Sequence, residues 1–190
     1  MESETFRSGF VGIAGRPNVG KSTFLNRVIG EKVAIVTDKP QTTRDRIMGI
    51  YHFEEGQIVF LDTPGVHAGK GLLNRQMIET AVRSFEDADI LLCFFEPPVT
   101  ELGYSRANGI HLDEENSLTL EHLARMKQPK LLVLNKADIL DKGVAIGEWS
   151  GREMIAPIRE TLEKTVQFED CFVISATTGE GIPELVDAVK

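Results

Sequence analysis

The apolar residues of this chain fall in short blocks whose spacing changes from one block to the next. Four blocks of four to six residues are almost wholly apolar, which predicts buried strands at 10–14, 90–95, 130–135 and 171–174. Between them, apolar residues at helical spacing predict helices over 21–29, within 114–127 and within 150–165, and a closing helix that begins near Pro183. Strands that are apolar on both faces are expected where helices cover both sides of a parallel sheet.

Two further runs predict a hairpin. The runs 46–53 and 57–62 flank Glu54-Glu55-Gly56, which is typical of a turn. Apolar positions from Met77 to Phe85 then predict one more helix. The element order β-α-β-β-α-β-α-β-α-β-α predicts a three-layer α/β domain with a mostly parallel six-stranded sheet and one antiparallel strand. We assign residues 10–190 to this domain and residues 1–9 to an N-terminal extension.

Length and composition exclude several classes of protein. The 190 residues are enough to bury one hydrophobic core, and 42% hydrophobic with 26% charged residues is ordinary for a globular protein. This composition excludes a disordered chain, a collagen-like fibre and a membrane bundle. Because 21 Lys and Arg face 29 Asp and Glu, the net charge of −8 disfavours general binding to nucleic acid but allows one local phosphate pocket.

The cysteines and the lengths of the apolar runs indicate where in the cell the protein is expected. Cys93 and Cys171 lie in apolar runs and predict buried thiols in a reducing compartment, with no disulfide. The longest apolar run, Ile90 to Phe95, has six residues, whereas a membrane-spanning helix needs about 20. The first ten residues lack the pattern of a secretory signal. We therefore expect an intracellular, soluble protein.

The strongest chemical signal follows the first predicted strand. The segment GRPNVGKS at 15–22 fits G-x-x-x-x-G-K-[ST] between a strand and a helix. Gly15 and Gly20 allow tight turns, so that successive N–H groups form an anion-binding nest at a helix N-terminus. We expect Lys21 to bridge the terminal phosphates of a nucleotide and the Ser22 hydroxyl to ligate Mg²⁺.

Two later motifs, each directly after a predicted strand, concern the γ-phosphate and the base. In DTPG at 62–65, Asp62 can hold a water of the Mg²⁺ shell and the Gly65 N–H can reach the γ-phosphate. In NKAD at 135–138, the Asp138 carboxylate offers two acceptors to N1–H and the 2-amino group of guanine, which adenine lacks at those positions. The sequence therefore favours a guanine nucleotide over an adenine nucleotide.

The remaining residues of the base site are assigned around Asp138. Asn135 is expected to hold the base loop and guanine N7, and Lys136 to pack its stem along the base. After the last strand, at Ser175-Ala176, the Ala176 N–H can donate to guanine O6. Since carboxyl ends of parallel strands share one edge of a sheet, these segments are expected to converge. The predicted nucleotide-binding residues are Gly15, Asn18, Val19, Gly20, Lys21, Ser22, Thr23, Asn135, Lys136, Asp138, Ser175, Ala176 and Thr177.

Together these motifs resemble the Era family of GTPases over almost the whole chain, from about Phe10 to Lys190. The resemblance rests on GRPNVGKS at 15–22, KPQTTR at 39–44, DTPGVH at 62–67, NKAD at 135–138 and SA at 175–176. The related Der family shares the phosphate loop but typically has a G-V-T-R-D switch. The run Gln41-Thr42-Thr43-Arg44 and the later His67 favour Era.

The resemblance implies a GTP-hydrolysing molecular switch in small ribosomal subunit assembly and 16S rRNA processing. Its implied cofactors are GTP or GDP and Mg²⁺. Resemblance to related potassium-activated GTPases further implies a K⁺ ion that Asn18 helps to coordinate, and the alternative for Asn18 is an amide that stabilises the turn. The partners implied by the resemblance to Era are ribosomal RNA and the small ribosomal subunit, with a monomeric protein in the cytoplasm that contacts the inner face of the cell membrane peripherally. In that family an RNA-binding KH domain follows. We see none in this sequence and expect an isolated GTPase domain.

The switch residues complete the predicted machinery. We choose Thr43 as the threonine that ligates Mg²⁺ when γ-phosphate is present, with Thr42 as the alternative, and assign catalytic roles to Lys21, Thr43 and Gly65. Val66 stands where many GTPases carry a water-orienting Gln, which predicts slow intrinsic turnover. Two alternatives stay open: a Der-like ribosome-associated GTPase, and a nucleotide-sensing module with negligible turnover.

Overall fold

A computed structural model of the chain describes residues 6–30, 46–62, 85, 87–97, 104–105, 109–110, 112, 114–142, 145–146 and 149–190. The strands are β1 (Arg7–Ala14), β2 (Arg46–Phe53), β3 (Gly56–Asp62), β4 (Ile90–Phe95), β5 (Tyr104–Ser105), β6 (Gly109–Ile110), β7 (Lys130–Leu134), β8 (Ala145–Ile146), β9 (Trp149–Ser150) and β10 (Asp170–Val173). The α-helices are α1 (Lys21–Ile29), α2 (Glu114–Arg125), α3 (Ala137–Leu140), α4 (Ile155–Glu163) and α5 (Ile182–Val189), and a 3-10 helix covers Gly151–Met154.

Six of these strands form one sheet in the order β10-β7-β4-β1-β3-β2. Every neighbouring pair is parallel except β2 and β3, which form an antiparallel hairpin. The predicted sheet, with one antiparallel strand, is therefore confirmed. This order sets β1, β4 and β7 side by side, so the segments that follow these three strands leave the same edge of the sheet as neighbours.

The core lies on both faces of the sheet, because successive residues of the central strands point to opposite sides. In β4, Leu92 and Phe94 join a cluster with Phe24 of α1 and Leu185 of α5. Leu91, Cys93 and Phe95 join the cluster on the other face, which holds side chains of α2, α3 and α4. Helices thus cover both faces, and the predicted three-layer arrangement is confirmed.

The ends of several elements differ from the sequence prediction. β1 begins at Arg7, so it includes three residues assigned to the N-terminal extension. Gly56 belongs to β3 and lies against β1, where an added Cβ would come within 2.4 Å of the Arg7 carbonyl oxygen. The helix predicted within 150–165 is divided, since the 3-10 helix precedes α4 and Pro157 lies in the first turn of α4.

Two short hairpins were not predicted. They pair β5 with β6 and β8 with β9, and each strand has only two residues, too few for a periodic signal. The helix predicted from Met77 to Phe85 falls outside the described residues, apart from the buried Phe85.

The two cysteines differ in burial. Cys93 is buried and its pKa is raised by desolvation, as expected. Cys171 is only half-buried, and burial raises its pKa to about 11. Within the described ranges, no helix is both long enough and apolar enough to cross a membrane.

Candidate functional site

The loop between β1 and α1 wraps around the amino group of Lys21. Its Nζ donates to the carbonyl oxygen of Gly15 at 2.7 Å and to that of Arg16 at 2.8 Å. Asn18 has φ near +62° and Gly20 φ near +101°, so the chain turns sharply twice before α1 begins. Lys21 therefore stands at the helix N-terminus with its charge held beside the start of the loop.

Two glycines of this loop are required by their neighbours. An added Cβ on Gly15 would lie 2.6 Å from the carbonyl oxygen of Phe94, and one on Gly20 would lie 2.1 Å from Nδ2 of Asn135. Both distances are shorter than real Cβ contacts, so the loop approaches β4 and the segment after β7 more closely than any side chain would permit. The phosphate loop and the base loop are thus in direct contact.

Asn135 joins three segments that are far apart in the sequence. It follows β7, and its side chain is 1% exposed. Its Nδ2 donates to the carbonyl oxygen of Val19 at 2.7 Å, while its Oδ1 accepts from the N–H of Ala176 at 2.9 Å. The predicted convergence of the phosphate loop, 135–138 and 175–177 therefore occurs. The N–H of Ala176 already has a partner in Asn135, and its bond to guanine O6 stays a prediction.

The carboxylate of Asp138 is held in one orientation by Ser175. The buried Ser175 hydroxyl donates to Oδ1 of Asp138 at 2.7 Å and accepts from the N–H of Thr178 at 3.1 Å. Asp138 lies in the first turn of α3, whose N-cap residue Lys136 has φ near +67°. The hydroxyl role of Ser175 was missed from the sequence, because a Ser-Ala pair carries no signal without its neighbours in space.

Glu96 also lies at this edge of the sheet, and it was not predicted from the sequence as a residue of the site. It directly follows β4, between the ends of β1 and β7, and its carboxylate forms ion pairs with Arg16 and Lys136. Burial alone would raise the pKa of Glu96, but the hydrogen bonds from Lys136 and Arg16 outweigh it and hold the pKa below its usual range. An acidic residue directly after a buried strand was the available signal.

The remaining predicted residues are described only in part. Ser22 and Thr23 lie exposed on the first turn of α1. Asp62 ends β3 and lies opposite Ile13 of β1 in the parallel register. Thr177 is exposed, and its carbonyl oxygen accepts from Arg27. The predicted switch residues Thr43 and Gly65, with Thr42 and Val66, lie outside the described residues.

A family model described as a 50S ribosome-binding GTPase matches residues 10–136. The chain is also similar to the GTPase Era of Syntrophus aciditrophicus, with 44% identity over 96% of this chain and 53% of that protein. The chain spans just over half the length of the curated relatives it matches.

Two solved structures of Era are similar as well. The structure of an Era variant from Aquifex aeolicus bound to GDP·AlF4⁻ has a TM-score of 0.66 with 31% identity, and covers 97% of this chain and 56% of that one. The structure of Era in complex with MgGDPNP and nucleotides 1506–1542 of 16S ribosomal RNA has a TM-score of 0.67 with 31% identity, at the same coverage. The resemblance to the Era family found in the sequence is confirmed.

Proposed function

We propose that this chain, which belongs to the family described as 50S ribosome-binding GTPases, binds GTP and hydrolyses it to GDP and phosphate as a molecular switch. The loop 15–20 and the N-terminus of α1 would take the phosphates, because backbone N–H groups and the helix dipole favour anions there. The segments after β7 and β10 would take the base.

The observation that carries this proposal is the position of Asn135. One buried amide contacts Val19 of the phosphate loop and Ala176 of the last base segment. Lys21 and Asp138 therefore belong to segments that meet at a single side chain. A ligand with a phosphate tail at Lys21 and a purine at Asp138 is what this arrangement suits.

Guanine is the base that Asp138 suits. With one carboxylate oxygen held by Ser175, the group accepts from N1–H and the 2-amino group of guanine. Adenine has no donor pair at those positions, so the half-buried carboxylate would keep only the bond from Ser175 and lose its partners on the base, at a cost of roughly 1–3 kcal/mol. We assign Lys136 to pack along the base and the N–H of Ala176 to donate to O6.

The residues at the start of α1 fit Mg²⁺. Hydroxyl and carboxylate oxygens are ligands that this ion prefers, and exposed Ser22 lies on α1 while β3 brings Asp62 beside β1. We assign Ser22 and Thr43 as direct ligands and Asp62 as a ligand through water. Bound Mg²⁺ would offset charge on the phosphates during hydrolysis.

The chain's own groups would supply the rest of the catalysis. Lys21 stabilises charge that develops on the phosphates, and the Gly65 N–H binds the γ-phosphate. Val66 cannot orient water, so intrinsic turnover is slow. We assign Asn18 to help hold a K⁺ ion that offsets transition-state charge. Loss of γ-phosphate would then release the two switch segments.

For the cellular role we propose small ribosomal subunit assembly and 16S rRNA processing. The support is similarity to Era, which has been solved bound to a fragment of 16S ribosomal RNA. The acidic charge of this chain argues that RNA contacts come mainly from a KH domain, as the family resemblance implies. We also propose a monomer in the cytoplasm with peripheral contact to the inner membrane face.

Affinities for GTP, GDP and ATP, measured with single-turnover hydrolysis in Mg²⁺ and K⁺ buffer, test the proposal. We expect tight GTP and GDP binding, weak ATP binding and slow hydrolysis. Equal affinity for ATP and GTP would overturn the base assignment. Normal GTP affinity without hydrolysis in either K⁺ or Na⁺ would instead favour a nucleotide sensor, the second candidate that Val66 supports.

A further inference from the structure

Arg27 reaches from α1 to the loop that carries Ala176. It lies six residues after Lys21 on the same helix, and its Nε donates to the carbonyl oxygen of Ala176 at 2.9 Å. An Nη atom of the same guanidinium donates to the next carbonyl, that of Thr177. A planar fork is suited to two successive acceptors, which a lysine ammonium cannot match.

The loop is shaped to receive this guanidinium. Gly179 has φ near +96°, and an added Cβ there would lie 2.9 Å from Nη1 of Arg27. The N–H of Gly179 donates back to the carbonyl oxygen of Ser175 at 2.8 Å, which closes the loop into a turn. The turn thus directs two carbonyls to α1 while a residue without a side chain leaves room for the arginine.

Arg27 and Asn135 hold Ala176 from opposite ends. Asn135 accepts from its N–H, and Arg27 donates to its carbonyl oxygen, so both peptide planes that flank Ala176 are oriented. In the proposed function the same N–H is shared, as a three-centre hydrogen bond, between Oδ1 of Asn135 and an acceptor at position 6 of the purine. An oxygen there accepts this N–H, whereas an amino group would meet it as a second donor.

We propose that Arg27 is a positioning residue for purine selectivity at position 6, and this inference rests on the proposed guanine-nucleotide binding. The residue does not touch the base. It acts through α1, which spans roughly 9 Å from Lys21 to Arg27 and so ties the base loop rigidly to the phosphate site. Selectivity at position 2 belongs to Asp138, whereas the described bonds of Arg27 go to the carbonyl oxygens of Ala176 and Thr177.

Equilibrium binding of three diphosphates tests this assignment. GDP carries O6, N1–H and the 2-amino group, and inosine diphosphate lacks only the 2-amino group. In 2,6-diaminopurine riboside diphosphate an amino group replaces O6 and N1 carries no hydrogen, a loss that is the same for wild type and variant and so cancels in their comparison. The variants are Arg27→Met, which removes both donors, and Arg27→Lys, which keeps the charge. Arg159→Met is the matched control, since Arg159 pairs with Glu163 of its own helix α4 on an exposed surface.

We expect Arg27→Met to weaken GDP and inosine diphosphate binding about tenfold each, with little change for the diaminopurine nucleotide. The ratio of the affinity for GDP to that for the diaminopurine nucleotide should then fall about tenfold. The ratio of the affinities for GDP and inosine diphosphate should not change. Arg27→Lys should lose part of the preference for GDP over the diaminopurine nucleotide and Arg159→Met none.

Two results would overturn the inference, and they are distinguishable from failure of the proposed function. Equal loss for all three nucleotides, or no loss, in a variant that unfolds at the wild-type temperature would make Arg27 merely structural. Should Arg27→Met fold poorly, the same comparison with Arg27→Lys decides the matter. A wild-type protein that binds GDP no better than ADP would overturn the proposed function itself, and this inference with it.

Discussion

Nδ2 of Asn135 donates to the carbonyl oxygen of Val19 at 2.7 Å, although the two residues lie 116 positions apart. This bond joins the loop that would hold phosphate to the loop that would hold the base. It is buried, so neither partner can turn to water when it is lost. This amide therefore helps to fix the relative position of the two half-sites, as Arg27 on α1 does.

Replacing this amide should damage stability and binding together. Asn135→Ala leaves the Val19 carbonyl and the Ala176 N–H unsatisfied, and we expect the free energy of unfolding to fall by about 1–3 kcal/mol for each buried group. GDP affinity should fall at least tenfold. Urea denaturation and GDP titration measure the two effects. Asn26→Ala, at an exposed position of α1, is the control, and equal losses in both variants would contradict the prediction.

Gly20 should tolerate no side chain. Gly20→Ala places a methyl group 2.1 Å from Nδ2 of Asn135 and also forces alanine to φ near +101°. The matched control is Gly30→Ala, which has φ near +71° but no atom within 4 Å of the added Cβ. Gly30 has ψ near 177°, an essentially glycine-only conformation, and we expect Gly30→Ala to cost only the backbone strain of about 1–3 kcal/mol. Gly20→Ala should cost clearly more and also weaken GDP binding. Similar unfolding midpoints for the two variants would rule this out.

The base preference should follow the chemistry of residue 138. Asp138→Asn replaces one carboxylate oxygen by an amide that donates, which suits the 2-oxo group of xanthine better than the 2-amino group of guanine. We expect the affinity ratio of xanthosine diphosphate to GDP to rise by at least tenfold. The control is Asp141→Asn, three residues further on and exposed. A ratio that rises equally in both variants would refute the assignment.

Glu96 should make stability depend on pH in a defined direction. The pKa of its carboxyl is lower in the folded protein than in the unfolded chain, since Lys136 and Arg16 favour the ionised form. Its contribution to stability is therefore complete above the unfolded pKa, about 4.3, and is lost as the pH falls through the folded pKa.

The comparison of Glu96→Gln with wild type measures this effect. At neutral pH we expect the variant to be less stable by about 1–3 kcal/mol, with the difference shrinking on acidification below about pH 4. Glu163→Gln, which removes one half of an exposed pair with Arg159, is the control and should change stability by less than about 0.5 kcal/mol. If the stability difference between wild type and Glu96→Gln grew as the pH fell, the direction assigned to the pKa shift of Glu96 would be wrong.

The proposed K⁺ site should appear in the rate of hydrolysis. Exchange of K⁺ for Na⁺ is expected to lower the single-turnover rate severalfold, because the larger ion would offset transition-state charge beside Asn18. In Asn18→Ala the two salts should give the same rate. Equal hydrolysis rates in K⁺ and Na⁺ for the wild-type protein would refute the proposal of a K⁺ site.

Prediction from the sequence succeeded where the signal was local. The apolar runs that became β4 and β7 are buried on both faces, and such strands are visible as uninterrupted apolar blocks. It failed where the structure depends on very few residues, as in the two-residue strands at Tyr104 and Trp149. The 3-10 helix before α4 was likewise missed, since no period can be read from four residues.

The amino-acid sequence by itself determined the alternation of strands and helices, the phosphate loop from Gly15 to Ser22 and the presence of Asp138 after a strand, because each is written in adjacent residues. Only the tertiary structure decided which side chains connect these segments. Asn135 contacts Val19, and Ser175 orients Asp138. Glu96 lies between Arg16 and Lys136, and Arg27 binds the loop that carries Ala176. These contacts join residues between 37 and 150 positions apart. They follow from the order of the strands in the sheet. That order depends on how the helices cover both faces of the sheet, and it cannot be read from the residues of any one segment.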